Sequence, residues 1–280
     1  METAEVSESF WGGKLYQQRA REALPLLVRQ ALVGEKIFYS QLADEMNMPN
    51  ARNLNYVLGC IGSTLIELGE EHDIEIPPIQ CLVVNKTTEL PGEGIGWFIS
   101  DSDFRKLNKK QKKVVVDSQL AKIYAYPDWP SILKLLGLKK PDFPALPIQK
   151  SRKGGGEGKA HKALKQYIAE NPTVIGLSDS WPVGDIEFDL PSGDSVDVMF
   201  SWRKQMVAVE VKSKISDAAD VSRGLFQCVK YQSVTEAMLG VQGLPQNVRT
   251  VLVLQSKLPP SLKTIQHMLG IEVLDEIQPA

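Results

Sequence analysis

Ser195-Val-Asp-Val-Met-Phe200, the polar turn Ser201-Trp-Arg-Lys-Gln205 and Val207-Ala-Val-Glu-Val-Lys-Ser213 set two acids and a lysine into two apolar strands. Strand side chains alternate between faces, so Glu210 and Lys212 share one face while Val209 and Val211 take the other. A hairpin through Ser201–Gln205 brings Asp197 beside Glu210. A carboxylate pair with an ammonium next to it can hold a hard divalent cation and a water. Alone, a Glu-x-Lys alternation is also what the solvated face of an edge strand looks like.

The flanking sequence supplies the context. Glu157 to Glu170 reads as a helix with Ala160, Leu164, Tyr167 and Ile168 at helical spacing, closed by Asn171-Pro172. Strands are expected at Ile186–Leu190, Ser195–Phe200 and Met206–Val211, with Pro191-Ser-Gly-Asp as the first turn. A helix from about Ala218 to Leu239 follows. Then come an apolar strand at Val248–Leu254, a helix at Pro260–Leu269 and a short strand at Ile271–Leu274. The order is αβββαβαβ.

With these elements in place, residues 155 to 275 resemble the PD-(D/E)XK nuclease superfamily, whose core is a mixed sheet flanked by helices. The resemblance implies an α/β C-terminal domain with a restriction-endonuclease-like mixed sheet. It places Asp197 on the metal-binding aspartate and Glu210 and Lys212 on the Glu-x-Lys half of the signature. Glu157 falls on the acidic residue of the first helix, and Gln227, in Arg223-Gly-Leu-Phe-Gln-Cys-Val-Lys-Tyr, on a glutamine of the helix after the third strand. Val196 stands where the name-giving proline would be. The implied activity is Mg2+-dependent (or Mn2+-dependent) phosphodiester hydrolysis of nucleic acid, most simply by a DNA endonuclease. Asp197, Glu210 and Glu157 would be the metal ligands. Lys212 would orient the water and offset charge, with Gln227 positioning it, and Tyr231 shares Gln227's helical face. His161, four residues after Glu157, reads more simply as a surface or structural histidine. The alternative is a non-catalytic DNA-binding or partner-binding protein that keeps the fold.

Upstream, Lys139-Lys-Pro-Asp-Phe-Pro-Ala-Leu-Pro-Ile to Gly154-Gly-Gly has linker composition, prolines giving way to glycines without apolar periodicity. The expected division is 1–138, a linker at 139–156, and 157–280. In the first domain, helices are expected at Leu15–Leu32, from Tyr39 and from Ala51. A strand at Ile79–Val84 and a turn with a second strand over Gly92–Ile99 complete an α+β winged-helix-like module. The spacing Tyr39, Leu42-Ala43, Ala51-Arg52, then Ile76-Pro-Pro and Val83-Val84 resembles the DNA-binding half of the alkyltransferase and alkyltransferase-like families. Ile79 and Gln80 follow Pro78, so Cys81 is out of register for alkyl transfer. What the resemblance leaves is DNA binding near Arg52, Asn53 and Asn55; the alternative is a structural or partner-binding helical module.

Residues 101 to 138 read as a helical extension, and Lys109 and Lys110 belong to a basic cluster that can touch phosphate or form a solvated helix face. Tyr124, Tyr126 and Trp129 read as packing residues. The 280 residues carry a formal net charge of −2, which argues against non-specific coating of nucleic acid. No apolar run reaches about 18 residues, so no membrane span is expected; nor is a signal peptide, and the expected location is cytoplasmic. Cys60, Cys81 and Cys228 are too scattered for a disulfide framework or a zinc site. A homodimer would fit, because cutting both strands of a duplex takes two sites.

Overall fold

A computed structural model describes residues 8, 10–99, 104–144 and 158–279. The chain divides into two compact units, Met1–Phe143 and Pro144–Ala280. Most of the Pro/Gly-rich segment, and Glu157 with it, lies outside the described residues. No described helix is long and apolar enough to cross a membrane.

The N-terminal unit is built on α1 (Leu15–Val33) and α3 (Leu54–His72), with the short α2 (Tyr39–Glu45) between them. Every third or fourth residue of α1 is apolar and buried, including Ala20, Leu24, Leu27 and Val28. They meet Leu54, Val57, Ile61 and Leu65 of α3 in one core. Helix α4 (Lys109–Ala125) is capped by Asn108, whose side chain accepts from Gln111 N–H at 3.0 Å. In α5 (Trp129–Leu135) the fully buried Trp129 donates to the Ile123 carbonyl at 2.9 Å and stacks edge-on to Tyr126. These two aromatic residues therefore pack.

The expected hairpin of this unit is not what forms. Ile79–Leu82 is a 3-10 turn, and only Val83–Val84 (β2) is a strand. It pairs in parallel with β1 (Ile37–Phe38), in the register Ile37 to Val83 and Phe38 to Val84. Glu93–Trp97 is a second 3-10 turn rather than a strand. A run of six with five apolar residues suits a buried turn as well as a strand, and Pro77-Pro78 enters it without N–H donors for a ladder.

The C-terminal unit is α/β, with a five-stranded mixed sheet in the order β3-β4-β5-β6-β7. The strands are β3 (Asp185–Asp189), β4 (Ser195–Trp202), β5 (Gln205–Lys212), β6 (Val248–Leu254) and β7 (Glu272–Leu274). The first two pairings are antiparallel and the last two parallel. The two residues Arg203 and Lys204 close the β4–β5 hairpin between the pair Trp202 and Gln205. The parallel step from β5 to β6 is made by the long helix α7 (Ala218–Val241), and α6 (Lys159–Glu170) precedes the sheet.

Both faces of the sheet are covered. Val198, Phe200, Val207, Val209 and Val211 pack with Leu164 and Ile168 of α6. Val196, Met199 and Ala208 pack with Tyr231 of α7. Strict alternation would put Val196 and Met199 on opposite faces, so β4 twists between them, at Asp197. On the neighbouring strand, Glu187 takes a left-handed φ of 55°; the β3–β4 register is the same on either side of it, Ile186–Val198 and Phe188–Val196, with no pair at Glu187 itself. A left-handed residue inside a strand breaks the ladder locally and re-aims side chains beside it.

Candidate functional site

The hairpin carries Asp197 and Glu210 together at the end of its paired segment, one step past Val198–Val209. Asp197 Oδ2 accepts the Val211 N–H at 2.9 Å, so a side chain takes over where backbone pairing stops. Its other oxygen lies 3.4 Å from His161 Nε2 and 3.7 Å from Lys165 Nζ, both on α6. Lys165 is almost fully buried and also pairs with Glu187 Oε1 at 2.8 Å.

Glu210 and Lys212 share the face toward α7, as alternation requires. Lys212 Nζ donates to Glu210 Oε1 at 2.7 Å and to Gln227 Oε1 at 3.3 Å, with Asp220 at 3.7 Å. The Tyr231 hydroxyl lies 3.1 Å from Glu210 Oε2 and 3.0 Å from the Ser195 carbonyl, and receives the Gln227 amide N–H at 3.2 Å. Gln227 therefore links the lysine to the tyrosine, one turn apart on α7. Gly224 makes this possible: a Cβ there would lie 3.0 Å from Lys212 Cε and 2.9 Å from Leu252 Cδ1.

Burial dominates the electrostatics. The Glu210 side chain is only 4% exposed. That burial and the nearby negative charge of Asp197 push its carboxyl up to about 7, against the pull of Lys212 and Tyr231. Burial also works against the Asp197 carboxylate, but hydrogen bonds from His161 and the Val211 N–H, with the Lys165 charge, outweigh it and hold its pKa below the usual value. For the Lys212 ammonium, burial is outweighed by Glu210, Asp220 and Asp197, so its pKa is raised. The site thus holds two carboxylates with opposed shifts on neighbouring strands, each with a buried lysine against it.

Of the residues singled out from the sequence, Asp197, Glu210, Lys212 and Gln227 converge. Glu157 lies outside the described residues. Among the described residues no group of three or more His, Cys, Asp or Glu side chains is arranged to hold a metal ion. His161 stands against Asp197, 3.4 Å from its Oδ1. Lys165, which also meets Asp197, does not stand out in the sequence. Its signal is the spacing from His161, four residues on the same helix face, together with Leu164 and Ile168 beside it in the core. In the N-terminal unit, Arg52 and Asn53 are exposed at the short turn Ala51–Asn53 that opens α3, and Asn55 is exposed on its first turn. Lys109 and Lys110 are exposed at the start of α4.

No protein family matches the chain, and no curated protein does. Among solved structures, a chain of the EndoMS-dsDNA2 complex aligns over 47% of this chain at 20% identity with a TM-score of 0.31. The alignment spans 50% of that chain's own length.

Proposed function

We propose that the C-terminal unit hydrolyses phosphodiester bonds of nucleic acid, as a DNA endonuclease, with Asp197, Glu210 and Lys212 at its centre. The observation that carries this reading is the placing of Asp197 and Glu210 on neighbouring strands one step past Val198–Val209, where burial, and then the Asp197 charge, push the Glu210 carboxyl up to about 7. A protein gains nothing in stability from such an arrangement, and perturbed carboxylates of this kind gather at functional sites.

The donor set suits a hard divalent cation such as Mg2+, which is typically held by one or two carboxylates and completed by water and phosphate. Asp197 and Glu210 would hold it, with Glu157 as a further donor. When bound, such an ion stabilises charge on the phosphate and lowers the pKa of a water. The residues of the chain do the rest. Lys212, kept charged by its acidic neighbours, sets an ammonium where a phosphate oxygen and the attacking water can be oriented. Gln227 fixes the direction of that ammonium, and Tyr231 fixes the Glu210 carboxylate. His161 and Lys165 keep Asp197 ionised. In the N-terminal unit, exposed Arg52 and Asn53 at the start of α3, with Lys109 and Lys110, are suited to phosphate contacts.

The test is nicking of supercoiled plasmid with and without Mg2+ by the full chain and by Glu210→Ala. Metal-dependent nicking that falls at least about a hundredfold in the variant is expected. A parent that does not nick, or a variant that nicks equally, refutes catalysis. One observation favours the second reading, a non-catalytic DNA-binding protein: Lys212 and Lys165 already pair with carboxylates of the cluster. Mn2+ titration separates the two readings, since only the first requires binding that Asp197→Ala abolishes.

A further inference from the structure

In the register that β3 keeps with β4, Ile186 with Val198 and Phe188 with Val196, Glu187 falls opposite Asp197. Two carboxylates directly across an antiparallel pair repel. The chain meets this in two ways. Glu187 takes a left-handed φ of 55° and leaves the ladder there, a conformation that a glutamate holds only when its surroundings impose it. Lys165 of α6 then reaches both acids, its Nζ 2.8 Å from Glu187 Oε1 and 3.7 Å from Asp197 Oδ1.

The sharing is unequal. The contact with Glu187 is a hydrogen bond, and the contact with Asp197 is longer than one. The surroundings of the two acids make this unexpected: the Glu187 side chain is 61% exposed and that of Asp197 only 15%. A buried ammonium gains little in stability from an acid that water already solvates. What the placement changes is the charge left at Asp197. Oδ2 of Asp197 accepts the Val211 N–H, so Oδ1 is the oxygen that faces α6. An ammonium drawn fully onto Oδ1 would oppose a divalent cation on the same carboxylate, because like charges in a buried site repel far more strongly than in water.

We propose that Glu187 is a positioning residue that draws Lys165 off Asp197 and thereby sets how tightly the Asp197–Glu210 site takes a divalent cation. The inference rests on the reading of that site as a metal site. Glu187 acts through the lysine and does not itself touch the cation. With a cation on Asp197, the Lys165 ammonium keeps a partner in Glu187, whose exposed side chain can follow it. Without Glu187, the same ammonium turns to Asp197 and competes there.

The experiment is a titration of the full chain with Mn2+ at about pH 8, above the Glu210 value of about 7, with free Mn2+ read by electron paramagnetic resonance. Parent, Glu187→Gln, Lys165→Met and the double variant are compared, each first checked for the circular dichroism of the parent. Lys165→Gln serves in the same comparison where the methionine variant does not fold. Glu187→Gln is expected to weaken Mn2+ binding about tenfold, and Lys165→Met to tighten it by a similar factor. In the Lys165→Met background, Glu187→Gln should change nothing. That comparison separates a residue acting through the lysine from one that binds the cation or merely adds negative charge. Unchanged affinity in either single variant, or a loss from Glu187→Gln of the same size with and without Lys165, overturns the inference and leaves the metal reading standing. Mn2+ binding by none of the four chains overturns the metal reading and the inference with it.

Discussion

Arg29 and Glu45 in the N-terminal unit are as deeply buried as Glu210 and Lys212 in the C-terminal unit, yet the two pairs sit in opposite electrostatic settings. The Arg29 guanidinium meets both Glu45 oxygens at 2.8 Å, with the amide of Gln30 alongside, and the two side chains are 2% and 8% exposed. One acid faces one base in bidentate geometry. In the C-terminal unit a second acid, Asp197, stands close enough to raise Glu210, and a second base, Lys165, is shared with Glu187. A closed pair of opposite charges holds a fold together. An open cluster in which like charges face each other stores a demand for another charge.

The contrast can be broken most sharply at Arg29. Arg29→Met leaves the Glu45 carboxylate buried without its partner and should lower stability by about 3–5 kcal/mol, measured by urea unfolding. Adding Glu45→Leu should restore most of that loss, because an apolar pair of similar size replaces a closed ion pair. If the single variant costs less than about 1 kcal/mol, the pair is not the structural fastening described here.

The cluster is probed by pH. The folded-state pKa of Glu210, about 7, lies above its ordinary 4.5. Between those values the folded chain keeps a proton that the unfolded chain has released. Folding then takes up a proton, and stability from this group falls as pH rises through the window. Glu210→Gln cannot titrate. Its stability relative to the parent should therefore rise between pH 5 and pH 8 by on the order of 2 kcal/mol. Parallel stability curves for parent and variant would show that Asp197 and Glu210 do not repel.

The smallest effect is expected at Gln80, with the opposite sign. Gln80→Leu removes a buried amide that meets no hydrogen-bond partner among the described residues and should raise stability by about 1 kcal/mol in thermal unfolding. A loss of stability instead would mean that the amide is already satisfied in the folded chain.

The C-terminal strands were legible because each obeys a simple local rule. Val207 to Val211 alternates, Val248 to Leu254 is a continuous apolar run suited to a strand covered on both sides, and Pro191 to Asp194 marks a turn. Asp197, Glu210 and Lys212 stood out because charge is costly in such strands. Lys165 did not, since a lysine on a helix is usually solvated; only the docking of α6 on the sheet buries it. The contact of His161 with Asp197 depends on the same docking. In the N-terminal unit, Ile79 to Val84 satisfies the strand pattern, but the chain entering through two prolines turns over Ile79–Leu82 and only Val83–Val84 pairs, with Ile37–Phe38. The burial of Gln80 is also tertiary: a glutamine two residues after a proline pair says nothing until the chain packed over its amide is seen.

Gly224 carries the last consequence. Its missing side chain leaves the space into which the Lys212 methylenes settle, so the location of a positive charge is governed from a residue with no functional group. A mutational survey restricted to acids, bases and nucleophiles would pass over it. A single methyl at Gly224 would be felt as a displaced ammonium, with every polar atom of the cluster chemically intact.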